Sequence, residues 1–116
     1  IREPLSLGYL QRAEPARALA VLEHFPDDTC GVALNRVLAL YLAGRDADAR
    51  AAVAAARPAF ETALLMLADA QARRPAEARQ QGAMVPGGPA EAWDYRVAAR
   101  EVWHQAGALD WLRGVL

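Results

Sequence analysis

The sequence predicts an all-α protein built from stacked antiparallel helix pairs, and three observations carry that expectation. Alanine and leucine dominate, with 28 and 15 copies, while isoleucine occurs once, at Ile1. Loss of β-branched residues in favour of alanine and leucine favours helix over strand. Apolar residues also recur at helical spacing, most clearly at Leu34, Val37, Leu38, Tyr41 and Leu42, which are i, i+3, i+4, i+7 and i+8. Glycine and proline fall between such stretches and cut the chain into short blocks.

The 116 residues suit one domain, and 54% hydrophobic against 23% charged residues supply enough apolar surface for a core. In order, Leu5 to Arg12 carries Leu5, Tyr9 and Arg12 at helical spacing. Glu14-Pro15 opens a second helix to about His24, with proline suited to the first helical position. Pro26 ends it, and Asp27, Asp28 and Thr29 offer oxygens to cap a third helix, with Asn35 and Arg36 off its apolar stripe. Gly44 supplies a left-handed stop. Asp46 is expected to cap a short helix to about Ala56, with Arg50 one turn away. Pro58 starts another helix, whose Phe60, Ala63, Leu64 and Leu67 share a face; Leu65 and Met66 widen it enough to predict a position between layers. Arg74-Pro75 ends that helix and begins a further turn or two. Gly82 to Pro89 reads as extended. A long helix then spans about Ala90 to Ala106, Gly107 stops it, and a last helix runs from Ala108 to Arg113. Seven or eight helices and no strand are expected.

An internal match appears at an offset of 32 residues: Tyr9-Leu10 with Tyr41-Leu42, Glu14 with Asp46, Ala20-Val21 with Ala52-Val53, and Pro26 with Pro58. Each unit reads helix, tight turn, helix, proline, and stacking such pairs buries the apolar stripe that one pair leaves open. The stretch Leu40-Tyr41-Leu42-Ala43-Gly44-Arg45-Asp46-Ala47-Asp48-Ala49 resembles the tetratricopeptide repeat (TPR), with glycine at the turn and small alanine on the second helix. The second helices are about three residues short, and the large aromatic near the start of the first helix is missing, so the units over 1–74 resemble degenerate repeats. The resemblance implies a right-handed α-solenoid fragment with a C-terminal capping helix; a generic helical bundle is the competing architecture. The division expected is 1–74 helix pairs, 75–89 short helix and extended linker, and 90–116 Trp-rich cap. The last part, from Gly87-Gly88-Pro89-Ala90-Glu91-Ala92-Trp93 to Trp111-Leu112, is similar to the C-terminal segment of bacterial relatives of the suppressor of tumorigenicity 7 family. That similarity implies the end of a longer helical protein and brings no catalytic motif.

Chemistry is thinly supplied. One cysteine, Cys30, excludes an internal disulfide and a cysteine-based zinc site within one chain. His24 and Cys30 lack a recognisable ligand or nucleophile motif, and EF-hand, P-loop and HExxH patterns are absent. No catalytic residue, cofactor or metal is therefore expected. A net charge of −1 argues against nucleic acid, and Arg73, Arg74 and Arg79 read as solvated helix ends. No apolar run approaches 18 residues and no leader pattern opens the chain, so a cytoplasmic protein without membrane contact is expected. All 13 basic residues are arginine, which GC-rich bacterial coding would produce, and the start at Ile1 suggests processing or a piece of something longer.

On the long helix near the C-terminus, Ala92, Tyr95, Ala99, Val102, Trp103 and Ala106 form the natural docking face. Trp93, Val97 and His104, flanked by Arg96 and Arg100, form a second stripe. It is either core beneath the last helix, through Leu109, Trp111 and Leu112, or a partner surface, since Trp and Arg are enriched at binding hot spots. The functional expectation is a non-catalytic module holding a protein or peptide, with Asn35, Arg36, Trp93, Arg96, Arg100 and His104 as contacts. The alternatives are an accessory helical subdomain of an enzyme and a self-associating domain that forms a homo-oligomer.

Overall fold

The computed structural model describes residues 2–26, 28–75 and 88–116. Within them the chain is helical without strands: α1 (Arg2–Gln11), α2 (Pro15–Leu22), α3 (Cys30–Leu42), α4 (Asp46–Ala68), α5 (Pro89–Gln105) and α6 (Ala108–Val115). The short helix expected after Pro75 and most of the extended stretch lie outside the described residues. Gly88 is extended and Pro89 already opens α5.

Local chemistry sets most boundaries where the sequence puts them. Pro15 and Pro89 occupy the first turns of α2 and α5, where a missing N–H costs nothing. Thr29 caps α3, its hydroxyl accepting from the Val32 N–H at 3.3 Å. Gly44 and Gly107 take φ of 76° and 73° after α3 and α5, a region that favours glycine.

The turns after α1 and α3 share a backbone hydrogen-bond pattern, at a spacing that differs from that of the sequence match. Glu14 N–H donates to Tyr9 C=O at 2.8 Å and Ala13 N–H to Leu10 C=O at 3.0 Å; Arg45 N–H donates to Leu40 C=O at 3.0 Å and Gly44 N–H to Tyr41 C=O at 3.0 Å. Both sets close a helix with a left-handed residue, Ala13 (φ 56°) in one and Gly44 in the other. The equivalent residues are therefore 31 apart, 13 with 44. The buried pair Ala18 and Leu22 on α2 is matched in the same register by Ala49 and Val53 on α4. Turn hydrogen bonds and burial set this register, whereas identities among alanines and leucines align almost as well one residue away.

Two further expectations change. The two helices expected on either side of Pro58 are both present within α4 and meet at a kink where Phe60 leaves helical geometry (φ −128°, ψ 27°). Proline removes one helical N–H and crowds the preceding turn, so two helical segments meet there at a kink. Helix α4 ends at Ala68, earlier than expected, with the Asp69 carboxylate accepting the Gln71 N–H at 2.8 Å. The element between layers is α3. It touches α1, α2, α4 and α5, and every residue from Cys30 to Leu40 except Arg36 is buried. Beyond the bend of α4, by contrast, Glu61, Thr62 and Leu65 are exposed.

Trp103, Leu34, Leu38, Leu64, Leu67 and Leu112 are the largest fully buried side chains of one core, which Leu10 and Ala18 extend to α1 and α2. With a radius of gyration of 13.1 Å, the chain is as compact as a globular domain of about 100 residues. At 23 residues, α4 is long and apolar enough to cross a membrane by length and composition, with 39% of its apolar window buried inside the fold. It meets that criterion through alanine, with Arg57 and Glu61 still interrupting it.

Candidate functional site

The docking face expected on α5 is the one used: Ala92, Tyr95, Ala99, Val102 and Trp103 are buried, and Ala106 is half-buried. This face carries a polar chain through the core. The Trp103 indole N–H donates to the Tyr95 hydroxyl at 3.0 Å. That hydroxyl donates to Asn35 Oδ1 at 2.7 Å, and Asn35 Nδ2 donates to Ser6 Oγ at 3.0 Å. Four side chains thus tie α1, α3 and α5 together. Asn35 is 1% exposed and Ser6 is fully buried. Asn35, expected as an accessible contact, sits instead beneath α5. The sequence does hold a signal for it, because one amide amid the apolar run from Cys30 to Leu42 must find partners if that helix is buried.

The second stripe of α5 divides. Arg96 donates from Nε to Met66 C=O and from Nη2 to Asp69 C=O, both at 2.9 Å. Arg100 donates to Leu67 C=O at 3.2 Å, and Arg113 of α6 to Ala68 C=O at 2.8 Å. Three guanidinium groups therefore donate to four successive carbonyls at the end of α4, which find no N–H donors within the helix. Burial, then the neighbouring Arg100 charge, lowers the pKa of Arg96, and Asp69 opposes the shift. Arg36 plays the same part at the end of α2, donating to Leu22 and Phe25 carbonyls at 3.1 and 2.9 Å. These arginines, expected as contacts to a partner, instead spend these donors on helix ends within the fold.

What stays outside is Trp93, Val97 and His104. Val97 is 70% exposed, His104 is exposed and Trp93 half-buried, with the Arg96 guanidinium 5.5 Å above the Trp93 ring. The stripe is therefore not covered by α6. That helix turns Leu109 and Leu112 into the core and sends Trp111 to the α3–α4 turn, where its ring lies 4.9 Å from Tyr41 and its N–H donates to Asp46 at 2.9 Å.

A cleft of about 440 Å³ opens between α1, the start of α3 and α5, lined by Pro4, Leu7, Cys30, Asn35, Asp94 and Tyr95 among others. Its volume lies within the range of small-molecule sites. Cys30 is fully buried beside it, whereas His24 is exposed and 3.2 Å from Glu23. Among the described residues, no group of three His, Cys, Asp or Glu side chains is placed to hold a metal ion. Comparison with known protein families, curated proteins and solved structures finds no match to this chain.

Proposed function

We propose that this chain is a non-catalytic helical-repeat module of degenerate TPR-like type that binds a protein partner through the outer face of α5. One observation carries this reading: Val97 is 70% exposed in the middle of the longest straight helix, beside a half-buried Trp93 held under Arg96. Isolated exposed apolar residues are common, but a tryptophan with an arginine stacked on it and an exposed valine one turn on has the composition of an interface centre. Two helix hairpins repeating at 31 residues support the repeat character, since each such pair needs a neighbour to cover its apolar side.

The test is site-specific photocrosslinking in cells. A benzophenone side chain at position 97 should trap a discrete protein, and the same adduct should vanish when Trp93 is replaced by Ala in the crosslinking variant. Equal trapping from a probe at exposed Arg17 would reject the reading.

A further inference from the structure

Resting on the protein-binding reading above, we infer that Arg96 is the positioning residue of the α5 face, fixing the Trp93 ring from the end of α4 before a partner arrives. The three tryptophans differ in how their rings are held. The Trp103 indole N–H donates to Tyr95 at 3.0 Å, and that of Trp111 to Asp46 at 2.9 Å. Trp93 is half-buried and its N–H donates to no described residue, so it lacks the polar anchor of the other two. The Arg96 guanidinium, 5.5 Å from its ring centroid, takes that place.

A planar guanidinium serves both neighbours at once, because its N–H groups donate in the plane while its face stacks on an aromatic ring. Nε donates to Met66 C=O and Nη2 to Asp69 C=O, both at 2.9 Å. Two bonds from one rigid group fix its plane. An arginine without such bonds keeps most of its rotamer freedom and would orient nothing. Here the helix end supplies the fixed points, and the stack passes the orientation on to Trp93. Val97, one turn on and 70% exposed, then stands beside a ring already in place. Ordering one such side chain during binding lowers affinity about two- to tenfold, a loss avoided when the ring is ordered by folding.

The experiment records NMR relaxation of the indole N–H groups in the full chain without a partner, for the parent, Arg96→Met, Arg96→Lys and Arg100→Met. In the parent, the Trp93 indole should be as ordered as rigid backbone, with an order parameter of about 0.8. In Arg96→Met it should fall below about 0.6, while Trp103 and Trp111 stay unchanged. Arg96→Lys keeps the charge but not the planar fork, and should loosen the ring as well. Arg100→Met removes a bond to the same helix end, at Leu67 C=O, and should leave Trp93 as it is. A Trp93 indole that is loose in the parent, stays ordered in both Arg96 variants, or loosens equally in Arg100→Met overturns the inference. The adduct trapped from position 97 should also drop about two- to tenfold in Arg96→Lys, and an undiminished adduct overturns it too. Should the parent trap no adduct, the protein-binding reading fails while the relaxation data still decide this one, so the two fail separately.

Discussion

Tyr95 and Asn35 decide how α5 sits. A buried hydroxyl that accepts from Trp103 and donates to Asn35 cannot be removed without stranding both neighbours, and a stranded buried polar group costs about 1–3 kcal/mol. Tyr95→Phe should therefore lower unfolding free energy by about 1–3 kcal/mol in urea, although it keeps the ring and its apolar contacts. A loss below about 0.3 kcal/mol would mean that the chain of hydrogen bonds is not maintained in solution. The same reasoning changes what an Asn35→Ala variant reports. Any effect of it on a partner would come through the docking of α5, since the amide is covered.

Arginine, at the scale of elements, closes helices from outside them. The last carbonyls of α4 are met by Arg96, Arg100 and Arg113, a device that ties α5 and α6 to α4 while satisfying its end. Arg96→Met should cost about 1 kcal/mol in chemical denaturation, since hydrogen bonds from a charged donor are lost from a half-buried site. Arg50→Met, which breaks only an exposed i, i+4 pair with Asp46, should cost about 0.5 kcal/mol or less. Reversal of that order would show that the α4 end is capped by water. The central helix is the other element-scale feature. Leu38 is fully buried in α3, and Leu38→Ala should cost about 2–5 kcal/mol through lost burial and the remaining cavity.

At the scale of the whole molecule, one latch between α6 and the α3–α4 turn is the Trp111 hydrogen bond to the Asp46 carboxylate. The Arg50 hydrogen bond, then that of Trp111, lowers the pKa of Asp46 below its ordinary value of 3.8. A carboxyl whose pKa falls on folding stabilises the fold above its ordinary pKa and loses that contribution as pH drops through the lowered folded value. Asp46→Asn should therefore shift the urea midpoint at about pH 6, and the difference from the parent chain should shrink toward about pH 3. Trp111 fluorescence should change over the same acid range in the parent alone. A midpoint difference that persists unchanged into acid would place the latch in Tyr41–Trp111 ring contact instead. Helix class, the caps at Thr29 and Gly44, the proline starts and the buried face of α5 were all legible along the chain. The burial of Asn35 and the use of arginines as caps were not.

The sequence by itself determined where most helices begin and which side of α5 is apolar, because capping, glycine conformation and 3.6-residue periodicity act over one or two turns. Only the tertiary structure decided what each polar side chain does. Asn35 and Arg96 carry the same donors wherever they stand, and whether those donors meet solvent, a partner or a neighbouring helix depends on contacts between residues 27 to 60 positions apart. The register of the repeat belongs with them, since alanine-rich blocks match themselves at several offsets and only turn hydrogen bonds and burial select 31.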